Sequence, residues 1–233
     1  MTHAAADRRE NVSERVRHSR AVEDYLKAIY KLTQEQGSVS TTELAAELNR
    51  SPASITKMVK NLALQALVEH VPYHGVRLTA VGRTTALRII RRHRVIESYL
   101  IERLGFTWDV VHDEAERLEH AASDLLVDRM ALAVGDPDTD PHGAPIPGPD
   151  GSIETRELTA LADLPAGSTA VIREVPDDDS ERLRFLGHNG FLLGTEITVH
   201  ATDGADGAVV AEVDGRRHRL PGELAAAIRL EPA

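Results

Sequence analysis

Six residues near the middle of the chain have types and spacing that suit a metal site. His112, Glu116, Glu119 and His120 fall, at about 100° per residue, within roughly a 100° sector of one helical face. That sector lies beside the apolar positions Val111, Ala115, Leu118, Ala122 and Leu125. Carboxylates next to a core have to be paired, protonated or bound to a cation, because an unpaired buried charge is costly. Upstream, His93 and Glu97 stand one turn apart. Two antiparallel helices, one offering His-x3-Glu and the other His-x3-Glu-x2-Glu-His, would present nitrogen and oxygen ligands to each other, as metal sites in helix bundles do. The plainer alternative is a partly solvated face with ordinary i,i+4 pairs. For His93, inside Arg91-Arg92-His93-Arg94, it is a solvated basic face.

The chain has no cysteine, which removes disulfides, thiolate metal sites and thiol nucleophiles and leaves nitrogen and oxygen as the strong ligands. Glu116-Arg-Leu-Glu119-His120 is similar to the inverted zinc-protease motif, but that motif needs His where Glu116 stands. There is no Gly-rich phosphate loop, nucleophile elbow or Ser/His/Asp order. A non-enzymatic binding protein is therefore expected. A metallohydrolase is the weaker alternative, and a regulator taking an organic effector in the helical site is another.

The formal net charge of −10 divides into +7 for residues 1–95 and −17 for 96–233. A basic front half suits phosphate, while an acidic remainder keeps the protein soluble and repels non-specific DNA. A polar N-terminus and the lack of any long apolar run predict a cytoplasmic protein with no membrane partner.

The elements that must position these residues are readable from periodicity. Val22, Leu26, Ile29 and Leu32 predict a helix from Ser19 to about Gln34, stopped before Gly37. Ser40 and Glu43 form a capping box for a short helix to Leu48. A third helix starts with Ser51 as N-cap and Pro52 at the first helical position, and runs to about Ala63. Leu67–Val71 and Val76–Thr79 flank Pro72-Tyr73-His74-Gly75 as a strand-turn-strand wing. Two long helices follow, Ala80–Leu104 and Trp108–Val134, the second with an apolar seam fit for a partner helix. Strand-like segments at Thr169–Val175, Glu196–Ala201, Ala208–Val213 and Arg217–Leu220, with a short helix near Ser180–Leu186, predict a small β-barrel. The expected organisation is a flexible arm (1–18), a winged helix-turn-helix (19–79), a helical dimerisation and metal-binding domain (80–135), a Pro/Gly-rich linker (136–156) and an SH3-like domain (157–233). The fold class is mainly α with a small β domain.

In the third helix Ser54, Thr56, Lys57 and Lys60, with Ser51 and Pro52 at its start, are placed to meet a major groove, and His74 and Arg77 on the wing to meet phosphate.

The runs Tyr25-Leu26-Lys27-Ala28-Ile29-Tyr30, Arg92-His93-Arg94-Val95-Ile96-Glu97, Val111 to His120, and Asp140-Pro-His-Gly-Ala-Pro-Ile-Pro-Gly148 closely resemble the diphtheria-toxin-repressor family over nearly the whole chain. The resemblance implies a homodimeric repressor of metal-uptake genes on palindromic operator DNA, with no small organic ligand. It implies a primary metal site of Asp24, Glu116, Glu119 and His120, an ancillary site of His93, Glu97 and His112, and a ligand from the third domain, Asp179 first and Glu181 second. The position of Arg182 corresponds to a Gln ligand of the iron-type members. Those members carry Met and Cys at the positions of Asp24 and Glu116, where manganese-type members carry carboxylates as here. Oxygen ligands favour hard cations, so Mn2+ is the expected co-repressor, with Fe2+ as the alternative and Co2+, Ni2+, Zn2+ and Cd2+ as surrogates in vitro. Lys27 stands where some two-domain members have a further metal-binding Glu, which argues against a closely spaced manganese pair.

Overall fold

The computed structural model describes residues 18–71, 73, 75–202 and 206–232. Residues 1–17 of the expected arm, and His74 of the wing, lie outside them. The chain divides into two compact units, one up to Ala86 and the other from Leu87 onward. Among the described residues no helix is long and apolar enough to cross a membrane.

The first unit opens with α1 (Arg20–Gln36), which buries Val22, Tyr25, Leu26, Ile29 and Tyr30 and ends at Gly37 in the left-handed conformation. The capping box that starts α2 (Thr41–Glu47) is formed, with Ser40 Oγ accepting from Glu43 N–H and Glu43 accepting from Ser40 N–H. At α3 (Pro52–Leu64) Ser51 Oγ accepts from Ser54 N–H, an N-cap contributing about 1 kcal/mol. Ile55 and Leu62 are fully buried beneath this helix. The wing is the antiparallel pair β1 (Val68–Val71) and β2 (Gly75–Leu78). It is pinned to the strand-like Val39, which exchanges both backbone hydrogen bonds with Val76 at 2.9 Å. A Cβ on Gly75 would stand 2.0 Å from Val39 O, and Gly75 has φ of +99°; only glycine lets the wing approach so closely.

The helix α4 (Ala80–Leu104) has the bounds expected from its periodicity, 25 residues ended by Gly105. The next expected helix, Trp108–Val134, is two: α5 (Val111–Leu118) and α6 (Asp124–Ala133), with a turn between. Ser123 caps α6, its Oγ accepting from Leu126 N–H at 3.2 Å. The Ser-Asp pair is a helix-start signal, and it wins over the apolar period that runs through it. The seam divides accordingly. Val111, Ala115 and Ala122 join Val95, Ile96, Leu100, Val127 and Ala131 in a core, while Leu118 and Leu125 are exposed with Leu126 and Leu132.

Residues 136–151 form no helix or strand, yet they are a fastened strap. Arg91 donates to Pro147 O (3.0 Å) and Arg94 to Pro145 O (2.5 Å). Val175 N–H donates to His142 O (3.0 Å), and a Cβ on Gly143 would stand 1.9 Å from Arg173 O.

The third part is a six-stranded antiparallel sheet of β3 (Thr159–Ala160), β4 (Thr169–Glu174), β5 (Glu196–Thr202), β6 (Val209–Val213), β7 (Arg216–Leu220) and β8 (Arg229–Pro232), in the order β3-β8-β4-β5-β6-β7. Two helices, α7 (Ser180–His188) and α8 (Gly222–Ala227), accompany it. Its core includes Ile172, Leu183, Leu186, Phe191, Val199 and Val209. The segments β3, α8 and β8 were too short to stand out in the sequence.

Candidate metal centre

Helix geometry places His93 and Glu97 one turn apart on α4, and both are buried, at 5% and 0% exposure. The α5 residue His112 meets them. His93 Nε2 lies 3.0 Å from Glu97 Oε1 and 3.1 Å from His112 Nδ1, and His112 Nδ1 lies 3.3 Å from Glu97 Oε1. These three atoms form a nearly equilateral triangle. An octahedral cation with bonds of about 2.2 Å has neighbouring donors about 3.1 Å apart, and such a bond falls between about 2.1 Å for Mg2+ and about 2.3 Å for Ca2+. A fourth oxygen, Asp177 Oδ2, lies 3.7 Å from His112 Nδ1.

The electrostatics suit a cation. Burial by itself raises Glu97, but hydrogen bonds to His112 and His93 outweigh it and hold the carboxyl well below the usual range. Burial lowers His112, while the Glu97 hydrogen bond and the Asp177 charge leave it raised on balance. Glu97 Oε2 and His142 Nδ1 face each other at 4.0 Å, and neither has a hydrogen-bond partner among the described residues. His142 Nε2 donates to Trp108 O at 2.8 Å, so in the neutral ring Nδ1 carries the lone pair. Two buried acceptors turned toward one another need a donor or a positive charge nearby. The donor set therefore fits a divalent metal.

A second cluster stands at the end of α5, where Glu116, Glu119 and His120 each offer a ligand atom within 4.8 Å of the others. Glu119, fully buried, directs Oε2 to His93 Nδ1 at 2.6 Å and Oε1 toward His120 Nε2 at 3.4 Å. In the first unit Asp24 lies on α1, partly buried, with Arg20 Nε at 4.0 Å.

The third-domain ligands expected from resemblance are not among the residues brought to His112. Asp177, not Asp179 or Glu181, stands at His112. Asp179 is the N-cap of α7, its Oδ1 accepting from the N–H groups of Glu181 and Arg182 at 2.8 and 3.1 Å, and Glu181 is exposed. Arg182 pairs with Glu223 at 2.6 Å. A helix read as starting at Ser180 demands a capping side chain at 179, a signal that could have released Asp177 for the cluster. His142 and Asp140 were also passed over, because their Pro/Gly-rich surroundings read as a linker.

On α3, Ser51, Pro52, Ser54, Thr56, Lys57 and Lys60 are exposed. The Thr56 hydroxyl donates to Pro52 O at 2.9 Å. Arg77 on the wing pairs with Glu69 at 2.7 Å.

Comparison with known proteins agrees along the chain. Residues 18–76 match the family described as iron dependent repressor, N-terminal DNA binding domain. Residues 79–148 match iron dependent repressor, metal binding and dimerisation domain, and 159–232 match the FeoA domain. The iron-dependent repressor IdeR of Mycobacterium leprae is 30% identical over 222 residues, covering 90% of this chain and 96% of that one. The diphtheria toxin repressor of Corynebacterium efficiens is 31% identical over 219 residues, covering 90% and 94%. Among solved structures, a manganese-dependent transcriptional repressor in complex with manganese has a TM-score of 0.85 at 37% identity, covering 91% and 100%. The manganese regulator SloR has a TM-score of 0.79 at 31% identity, covering 91% and 98%.

A winged helix, a helical part with two His/carboxylate clusters and an FeoA domain together define a metal-dependent DNA-binding repressor. The chain belongs to the iron-dependent, or diphtheria-toxin, repressor family, whose members are transcriptional repressors and not enzymes, bind operator DNA and dimerise.

Proposed function

We propose that this repressor is a cytoplasmic homodimer that uses Mn2+ as co-repressor on a palindromic operator of metal-uptake genes. The observation that carries the choice of metal is the donor set at the end of α5. Glu116 offers oxygen beside Glu119 and His120, and the chain has no thiol to offer. Oxygen and imidazole donors without sulfur favour harder cations. The 37% identical structure described as complexed with manganese adds support. Iron is the second reading, favoured by the relatives named as iron-dependent repressors.

When bound, the cation supplies two positive charges and directional bonds. Glu116, Glu119 and His120 would hold it from the helical part, and Asp24 of α1 would complete the set from the DNA-binding unit. Carboxylates that repel one another would thereby be neutralised, which would couple metal binding to the DNA-binding unit. His93, Glu97, His112 and Asp177 would hold a second cation. Leucines 118, 125, 126 and 132 are exposed, and a second subunit would cover such apolar side chains.

Replacing Glu116 by Cys together with Asp24 by Met tests the metal assignment. The double variant should respond to Fe2+, Co2+ or Ni2+ at lower free metal, relative to Mn2+, than the parent protein does. An unchanged ranking of metals would remove the argument from ligand type.

A further inference from the structure

Backbone hydrogen bonds fasten the wing to the rest of the DNA-binding unit. Beyond the Val39–Val76 exchange, Leu67 N–H donates to Leu62 O of α3 and Thr79 N–H to Leu67 O, both at 3.0 Å. Thr79 Oγ donates to Ala66 O at 2.7 Å. From the Val68–Leu78 pair the strands carry the turn outward by about 10 Å. Tyr73 sits in that turn with two features that packing does not explain. Its φ is +65°, a left-handed conformation that is uncommon outside Gly, Asn and Asp. Among the described residues the other non-glycine cases are Asn49, Asp136 and Asp214, which tolerate it, and Ala66, which closes α3. The side chain of Tyr73 is also fully exposed, whereas of three Phe, four Tyr and one Trp in the chain only Phe185 is otherwise exposed, at 39%. Backbone strain beneath an aromatic ring turned wholly outward points to a contact made outside the chain.

With α3 in a major groove, a hairpin bonded to its end is within reach of the phosphate ridge and of the minor groove beyond it. An aromatic ring carrying one hydroxyl suits that groove. The ring can lie on deoxyribose while the hydroxyl donates to adenine N3 or thymine O2, the acceptors that an A·T pair shows there. A G·C pair adds the guanine N2 amino group, which stands on the same groove floor. We propose that Tyr73 is a specificity-determining residue of the operator complex, entering the minor groove beside the major groove held by α3 and favouring an A·T pair there. The proposal rests on the reading of the chain as a repressor activated by Mn2+ on an operator.

Full-length protein in saturating Mn2+ tests it, on an operator that the wild type selects from a random duplex library. Each A·T pair of that operator is replaced in turn by G·C and by I·C. Inosine lacks the N2 amino group, so I·C keeps the minor groove of A·T while showing the major groove of G·C. At one position in each half-site G·C should weaken wild-type binding by about tenfold or more, the scale for one mismatched pair, and I·C should restore it. Tyr73→Asn keeps a residue that tolerates the left-handed turn and removes the ring. It should bind the selected operator about tenfold more weakly and no longer distinguish A·T from G·C at that position. Tyrosine neutralises no phosphate, so the log–log salt slope should match that of the wild type, and thermal stability should not fall. Wild-type affinity in Tyr73→Asn, or weakening with the pair preference intact, would overturn the proposal. A flatter salt slope or a clear loss of stability would do the same, by showing that the substitution displaces the wing. Failure of the wild type to select any operator in Mn2+ would overturn the underlying repressor reading, and the proposal with it.

Discussion

His93 Nδ1 lies 2.6 Å from Glu119 Oε2, joining the two clusters through one hydrogen bond. With Nδ1–H donating to the carboxylate, His93 presents Nε2 to Glu97 and His112, and Glu119 keeps Oε1 for His120. One buried carboxylate would thus ligate in one centre and orient a ligand in the other, as outer-shell carboxylates do for metal-bound histidines.

Glu119→Gln and Glu119→Ala should therefore differ. The amide oxygen of Gln can still accept from His93, so that variant loses the Glu116-dependent class of Mn2+ and retains the other. Alanine loses the first class and weakens the second by about tenfold or more. Calorimetric stoichiometry, with circular dichroism to confirm folding, distinguishes them. An alanine variant whose second class is unaltered would show that the hydrogen bond carries no weight.

Acid should compete with metal at His112. Its pKa is raised from 6.5, with burial opposing and the Glu97 hydrogen bond and Asp177 charge prevailing. A histidine raised in the folded state stabilises the metal-free protein fully below its unfolded pKa, and that contribution is lost as pH rises through the folded value. Metal-free protein should accordingly lose part of its thermal stability as the pH rises above 6.5, while Mn2+ affinity of the His112-dependent class rises. Asp140, pushed up to about 7, titrates in the same sense, so the informative comparison is His112→Gln, which keeps Asp140. Identical pH profiles for the two proteins would exclude His112 as the titrating group.

Lys57 and Lys60 are exposed on α3. If Lys60 neutralises one phosphate, Lys60→Ala should weaken operator binding and flatten its log–log salt dependence by about 0.9. Its metal requirement should not change. An unaltered slope would take Lys60 out of the DNA interface.

The fold was legible where local chemistry and burial coincide. Ser40 with Glu43, Ser51 with Pro52, and the helical period of α4 each marked an element whose packing agrees with its local signals. The His93-Glu97 spacing was legible because helix geometry alone makes those residues neighbours. The break after Leu118 was not, since Ala122 and Leu125 continue the apolar period across it. Asp177 was missed because its place depends on how β4 leads into α7, and no periodicity describes that. The strap read as a linker or a tethered loop, and what tethers it was not legible because the tethers are Arg91 and Arg94, residues some fifty positions away.

The most direct test of metal-dependent repression is operator binding by metal-free protein, titrated in parallel with Mn2+ and Fe2+ under anaerobic conditions and with a chelator control. No specific binding should occur in chelator, and Mn2+ should restore it at lower free concentration than Fe2+. Operator affinity that survives chelation would contradict a metal co-repressor, and restoration by Fe2+ at lower free metal than Mn2+ would contradict the manganese assignment.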